Sequence, residues 1–192
     1  MRKLIQDARK LGTGVLGGLL LGSFRSLILL RFLGPELVGP WRSAMLVHSF
    51  GEFARLGAIR GVGLRVPVLD GQGDKAEADR MAQAGGSFAL AVGLLLGLAT
   101  LAISMFVEEP NTKLALRFIA VVITTAQPGY FLEELAIARH RFTLRAREAV
   151  LEGSVNLTGC LLLAAPFGIF GVGISSVTAS ILGLLILWRG TG

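Results

Sequence analysis

The hydrophobic positions of this chain form six long apolar runs, separated by shorter connections that are polar or contain glycine and proline. A helix needs about 20 residues to cross roughly 30 Å of hydrocarbon, and each run is close to that length. The pattern therefore predicts an all-α integral membrane protein, a single domain built as a bundle of six transmembrane helices. The predicted spans are residues 11–33, 41–59, 84–107, 114–138, 149–165 and 168–188.

Lysine and arginine are distributed unevenly between the two sides of these spans. If the N-terminus is cytoplasmic, 13 of the 19 Lys and Arg residues fall on the cytoplasmic side, 2 fall on the other side, and 4 lie within spans. Cytoplasmic loops of membrane proteins carry such an excess, so the pattern predicts that both termini are cytoplasmic. The first apolar run continues past Arg25 with no A-x-A-like cleavage site before it, which disfavours a cleaved signal peptide.

The composition agrees with a membrane protein and limits the chemistry available to it. Hydrophobic residues make up 53% of the chain and charged residues 17%, with a mean hydropathy of +0.67, which is too apolar for an ordinary soluble domain. A single cysteine excludes an intrachain disulfide, and two histidines leave little for a metal centre. We therefore expect no metal and no cofactor. We also expect no nucleic-acid partner, because the net charge of +6 is scattered between apolar runs without an aromatic-basic patch.

Two arginines interrupt the first predicted span, and a charged side chain at that depth normally faces protein or water. Gly14, Gly18 and Gly22 recur every four residues, a spacing typical of helix contacts in membranes. Arg25 lies within about 20° of Gly14 and Gly18 on a helical wheel, so it is predicted to point toward protein. Arg31 lies about 120° from Arg25, and it either joins the same interior or extends to the outer interface.

The second predicted span carries His48, Glu52 and Arg55 at positions i, i+4 and i+7. This spacing puts the three side chains on one stripe and predicts a helix that lines a polar cavity. The alternative is an ion pair between Glu52 and Arg55 that serves only to neutralise both charges.

The fourth and fifth spans also carry polar residues within apolar sequence. Gln127 in the fourth span, and Glu152 and Asn156 in the fifth, are predicted to face the bundle interior. Glu148 and the loop arginines before it are predicted to form a solvated helix end.

Six helices can turn these polar stripes inward while their lipid-facing surfaces remain apolar. We expect an anionic ligand, since the planar guanidinium of arginine donates hydrogen bonds to phosphate in pairs and stays charged in a low dielectric. The candidate substrate-binding residues of this cationic cavity are Arg25, Arg55 and Arg31. The candidate cavity-lining or coupling residues are His48, Glu52, Gln127, Glu152 and Asn156. No catalytic residue is predicted.

Four stretches of the sequence resemble one family of membrane transporters: RFLGPELVGPW, FRSLILLRFLG, GQGDKAEADRMAQAGGSFAL and PFGIFGVGISSVTASILGLL. They are similar to the polysaccharide, or lipid-linked oligosaccharide, flippases of the multidrug/oligosaccharidyl-lipid/polysaccharide exporter superfamily, and FRSLILLRFLG resembles the related lipid II flippase branch. In that branch, arginines of the first two helices face a cationic central cavity, which the resemblance associates with Arg25, Arg31 and Arg55. The likeness covers the N-terminal six-helix lobe, whereas the family has twelve or more spans in two lobes.

The resemblance implies a transporter of the bacterial inner membrane that moves a polyprenyl-diphosphate-linked saccharide to the outer leaflet by alternating access. It implies a lipid-linked saccharide substrate, contact with membrane lipids and a C-terminal lobe that this sequence does not contain. A coupling cation and glycosyltransferase or polymerase machinery are further candidate partners.

Other functions remain open at this point. A cation-coupled multidrug exporter of the same superfamily would favour an apolar or acidic pocket over a row of arginines. A membrane enzyme could use the loop carboxylates Asp70, Asp74, Glu77 and Asp79, but their alternation with basic residues favours a solvated helix face. A scaffold protein would leave the intramembrane charges without a purpose. We therefore expect a transporter rather than an enzyme.

Overall fold

The chain folds as a helical bundle in a computed structural model that describes residues 2–51, 53–55 and 57–191, without the side chains of residues 2–8, 10 and 55. These residues form five α-helices, a short 3₁₀ turn at Phe53–Arg55, and no β-strand. The helices are α1 (Arg2–Gly51), α2 (Ala58–Gln72), α3 (Lys75–Phe106), α4 (Pro110–Ala138) and α5 (Phe142–Thr191).

Four of the described helices, α1 from Leu11 onward, α3, α4 and α5, are long and apolar enough to cross a membrane. The all-α class is thus confirmed for the described residues and these helices are consistent with a membrane protein, but the prediction of six separate helices is wrong as a count. The first two predicted spans fall within α1, except that the second runs on to residue 59, and the last two fall within α5. The reason is that the chain bends sharply at glycine without a connecting loop in both helices.

The bend in α1 is at Gly34, which has φ 68° and ψ 170° and is followed by Pro35. Glycine adopts positive φ without the steric cost of a Cβ, and proline removes a helical hydrogen bond. The two arms, residues 2–33 and 35–51, fold back on each other, since the Arg25 guanidinium lies 5.8 Å from the Trp41 ring centroid. The same 16 residues would span about 24 Å in a straight helix.

The bend in α5 is at Gly168, with φ 56° and ψ −132°, two residues after Pro166. It separates an arm of residues 142–167 from an arm of residues 169–191. The arms pack closely, because a Cβ placed on Gly159 would lie 2.7 Å from the Cβ of Ser175. The Arg141 guanidinium also donates a hydrogen bond to the Gly190 carbonyl, which brings the two ends of α5 together.

The stretch GVGLRVPVLDGQGD, which begins at Gly61, is punctuated by glycines and predicts a turn between the second and third spans. The structure differs, because residues 58–72 form α2, which buries Ile59, Val66 and Leu69 in a cluster with residues of α3 and α4. This packing outweighs the low helix propensity of glycine and proline. The predicted second span of 41–59 is also interrupted, because α1 ends at Gly51.

Glycines bring the helices into close contact, as small residues do in membrane bundles. A Cβ on Gly14 would collide with Ala146, and one on Gly18 would lie 3.1 Å from the Ala149 carbonyl oxygen. Two of the three glycines predicted for this face therefore lie at a contact between α1 and α5, whereas Gly22 has nothing within 4 Å of its Cβ position. Large apolar side chains such as Leu95 of α3 and Leu162 of α5 point outward, with exposed fractions of 70% and 68%.

Candidate functional site

A cavity of about 270 Å³ lies between both arms of α1, α4 and both arms of α5. Its lining combines charged and hydroxyl side chains with a few apolar ones. The polar and ionisable members are Arg25, His48, Thr125, Tyr130, Glu133, Arg145, Glu148, Glu152, Asn156, Ser176 and Ser180. A site of this kind inside a membrane bundle is a candidate for function, because intramembrane ionisable groups are costly unless they are used.

Arg25 projects from the first arm of α1 into this cavity. One of its terminal nitrogens donates a hydrogen bond of 2.8 Å to the Ser176 hydroxyl on the second arm of α5, and its guanidinium contacts the Trp41 ring. Its Nε is buried and has no hydrogen-bond partner. Within the described residues Arg25 forms no ion pair, so part of its donor capacity is available to a ligand.

Arg145 lies near the start of α5 and connects that helix to α4. Its guanidinium forms ion pairs with Glu133 of α4, at 2.8 Å, and with Glu148 one turn further along α5. The Glu148 side chain is only 1% exposed. The prediction of a solvated end for Glu148 is therefore wrong, because α5 begins at Phe142 and carries this residue into the bundle.

Glu148 and Glu152 approach the same point on the second arm of α5. A Cβ placed on Gly183 would lie 3.1 Å from a carboxyl oxygen of Glu148 and 3.3 Å from one of Glu152. Glycine at this position therefore leaves the room that both carboxyl groups occupy. The close approach of two carboxyl groups is unfavourable when both are ionised, so a cation or a proton near them would stabilise this arrangement.

The cavity carries both signs of charge, with more carboxyl groups than the sequence predicts, since Glu133 and Glu148 join Glu152 in the lining. Three carboxyl groups, on Glu133, Glu148 and Glu152, accompany the guanidinium groups of Arg25 and Arg145. Arg145 is already held by two carboxylates, so Arg25 is the better placed of the two arginines to bind an added anion.

The structure brings four of the sequence candidates together at this cavity: Arg25, His48, Glu152 and Asn156. The Asn156 Oδ1 atom is buried without a hydrogen-bond partner. Arg31 is not part of the cavity, since its side chain is exposed on the surface of α1. Its position favours the interfacial interpretation.

The remaining candidates lie elsewhere or outside the described part of the chain. Gln127 is 1% exposed, does not line the cavity and donates a 3.4 Å hydrogen bond to the Gly51 carbonyl. Glu52 lies outside the described residues, as does the side chain of Arg55. The 3₁₀ turn at Phe53–Arg55 interrupts the helical spacing on which the predicted stripe rests.

Several cavity residues were not candidates from the sequence: Thr125, Tyr130, Glu133, Arg145, Glu148, Ser176 and Ser180. The hydroxyls of Thr125 and Ser180 hydrogen-bond to each other at 2.7 Å and join α4 to α5. Pairings between α4 and α5 depend on tertiary packing, and spacing along one helix does not reveal them. The i, i+4 relation of Glu148, Glu152 and Asn156 is the signal that could have placed Glu148 in the cavity.

The arrangement is suited to binding a polar molecule. In the described part of the chain, no three His, Cys, Asp or Glu side chains gather as a metal-ligating group. The lining offers one incompletely satisfied guanidinium, several carboxyl oxygens and several hydroxyls, which together could hold an anionic, hydroxyl-rich ligand. Comparison of the chain with protein-family models, with curated proteins and with solved structures gives no match.

Proposed function

We propose that this chain is a lobe of a flippase that moves a polyprenyl-diphosphate-linked saccharide across the bacterial inner membrane for cell-envelope polysaccharide synthesis. The observation that carries the proposal is Arg25, a cation within the bundle that has a buried nitrogen without a partner and faces a polar cavity. The role is transport rather than catalysis, and a second lobe completes the transport path.

The proposed topology has six membrane crossings with both termini in the cytoplasm. Each of the two arms of α1, and each of the two arms of α5, has enough residues for one crossing. Helices α3 and α4 add one crossing each. The contact of Gly14 with Ala146 and that of Arg141 with Gly190 place the starts of α1 and α5 at the same end of the bundle as the end of α5. This alternation agrees with the Lys and Arg distribution along the chain.

The chemistry of the cavity matches the two parts of such a headgroup. Arg25 would donate hydrogen bonds to a phosphate oxygen, an interaction that is strong because the donor is charged. The oxygens of Glu152 and Asn156 would accept hydrogen bonds from sugar hydroxyls, and the hydroxyls of Ser176 and Ser180 can donate or accept. Alternating access would expose this site to each side of the membrane in turn.

A second candidate function is a cation-coupled exporter of the same superfamily. Three carboxyl groups in the lining favour it, since carboxylates attract organic cations. The two functions differ in the ligand sign that they require, and a binding measurement separates them.

The experiment compares Arg25→Gln with Arg31→Gln, which removes an arginine from the same helix but from its exposed surface. Each purified protein, in phosphatidylcholine nanodiscs, is titrated with polyprenyl-diphosphate N-acetylglucosamine and with tetraphenylphosphonium. Losing a hydrogen bond from a charged donor, at about 1.5–3 kcal/mol, should weaken binding of the diphosphate about tenfold to a hundredfold in Arg25→Gln. Arg31→Gln should bind as the wild type does.

Equal affinity of the wild type and Arg25→Gln for the diphosphate would contradict the proposal. Binding of tetraphenylphosphonium alone, strengthened by Arg25→Gln and weakened by Glu152→Gln, would establish the second candidate instead.

A further inference from the structure

A second cleft, of about 260 Å³, lies between the first arm of α1 and the first arm of α5. Its lining is partly apolar and partly polar. The apolar part is formed by Val15, Gly18, Leu19, Gly22, Ala149 and Gly153. The polar part is formed by Arg25, Arg145, Glu152 and Asn156, all four of which also line the central cavity.

The cleft runs along one side of the line on which α1 and α5 touch. That line passes through Gly18, whose Cβ would lie 3.1 Å from the Ala149 carbonyl oxygen, and through Gly153, whose Cβ would lie 3.1 Å from the Leu21 side chain. Beside this line, a Cβ on Gly22 would meet nothing within 4 Å. Gly22 is exposed, and the neighbouring Leu19 side chain is 63% exposed, so this part of the cleft reaches the outer surface of the bundle.

Two polar atoms of side chains that line the cleft lack hydrogen-bond partners. They are Nε of Arg25 and Oδ1 of Asn156, and both are buried. Buried polar atoms are normally satisfied, so an unpaired donor and an unpaired acceptor at the junction of two cavities indicate a ligand that reaches this point. The ligand needs a polar, anionic part for Arg25 and an apolar part for the glycine-lined walls.

We propose that a single polyprenyl chain lies in this cleft, against α1 and α5, while the phosphate attached to the chain reaches Arg25. The cleft would then be a lateral path from the lipid to the central cavity. This inference rests on the proposed function and adds to it a tail-binding surface within this lobe. The small volume of about 260 Å³ favours one chain, since the contacts at Gly18 and Gly153 close the cleft on one side and leave it open at Gly22. A phospholipid brings two chains side by side and fits this space less well.

The test fills the cleft with a side chain that the helix packing tolerates. Gly22→Trp places an indole in the open space beside Arg25, whereas Gly12→Trp places the same group elsewhere on the same arm, where a Cβ also meets nothing within 4 Å. The probe is polyprenyl-diphosphate N-acetylglucosamine with a diazirine near the diphosphate end of the tail, photolysed in nanodiscs and mapped by peptide mass spectrometry. Thermal unfolding verifies that both variants are folded.

We expect the wild type and Gly12→Trp to be labelled on peptides of residues 15–22 and 149–153, with labelling in Gly22→Trp reduced about tenfold or more. Unlabelled probe in excess should prevent the labelling, and phosphatidylglycerol in the same excess should not. Labelling of these peptides that persists in Gly22→Trp, or that phosphatidylglycerol prevents equally well, would overturn the proposed path.

The failure of the path and the failure of the proposed function give different results. If the probe binds in an Arg25-dependent manner but labels other peptides, the tail lies elsewhere and the flippase proposal stands. If binding does not depend on Arg25, the proposed function fails, and the tail path fails with it.

Discussion

Replacing Arg145 with methionine should destabilise the bundle more than any other single removal of an ion-paired arginine at its helix ends. Arg145 connects α4 to α5 through Glu133, and it also pairs with Glu148. Methionine retains much of the length and the apolar contacts of the side chain but removes the charge. The substitution removes the Arg145 charge from beside Glu133 and Glu148, and the Glu148 side chain is almost fully buried.

The magnitude follows from how far each pair is removed from solvent. Breaking a buried ion pair by deleting one partner costs about 3–5 kcal/mol, and the Arg145 and Glu133 side chains are each 18% exposed, against 1% for Glu148. We therefore expect Arg145→Met to lower the free energy of unfolding by about 3 kcal/mol, the lower end of that range.

Arg139 provides the matched control, since it forms an ion pair of 2.5 Å with Asp79 near the end of α4. These side chains are 26% and 62% exposed, and an exposed pair contributes about 0–1 kcal/mol. Arg139→Met should therefore have a small effect.

The assay is reversible unfolding by sodium dodecyl sulfate in mixed micelles, followed by circular dichroism. Adding Glu148→Gln to Arg145→Met should recover about 1–3 kcal/mol, because the buried group then carries no unpaired charge. The assignment of Arg145 to a buried junction would be refuted if Arg145→Met destabilises the protein no more than Arg139→Met does. It would also be refuted if the double variant recovers no stability.

Three further predictions concern packing, backbone conformation and pH. Gly97→Ala should destabilise by about 1–3 kcal/mol through overpacking, because its Cβ would collide with the Thr124 hydroxyl oxygen. Gly129→Ala, whose Cβ would meet nothing within 4 Å, should be neutral or stabilising in the same unfolding assay. Gly168→Ala should cost about 1–3 kcal/mol, since φ is 56° there, and an unchanged unfolding midpoint would contradict the bend. Hydrogen bonds from Thr112 and Asn111 hold the pKa of Glu109 below its ordinary value of 4.5. The stabilisation that the Glu109 carboxylate gives to the start of α4 should therefore be present above pH 4.5 and lost as the pH falls through the lowered pKa. Hydrogen exchange of the first turn of α4 should show this dependence in the wild type and not in Glu109→Gln.

Much of the helical framework follows from local rules. Apolar runs of about 20 residues identify the membrane segments, and the four-residue spacing of Gly14 and Gly18 identifies the face of α1 that contacts α5. The orientation of Arg25 toward protein follows from the same wheel, because its angle to that face is small. Each of these features can be predicted from the residues of a single helix.

Features that depend on two or more helices could not be derived in this way. Arg145 and Glu148 read as a solvated helix end, yet pairing with Glu133 across to α4 places them at the cavity. The stretch from Gly61 onward is predicted to form a turn because of its glycines, yet packing on α3 and α4 makes residues 58–72 helical. In each case a tertiary contact outweighs the local preference.

The most direct measurement is the reaction of single cysteines with a water-soluble maleimide in intact membranes, with Cys160 replaced by alanine. Asn156→Cys lines the cavity, while Leu162→Cys lies on the same arm of α5 with an outward side chain that is 68% exposed in the bundle. If the outer surface is covered by lipid and the cavity contains water, Asn156→Cys should react and be protected by the polyprenyl diphosphate, and Leu162→Cys should remain unreacted. Faster reaction at Leu162→Cys than at Asn156→Cys would contradict a membrane bundle built around a polar cavity.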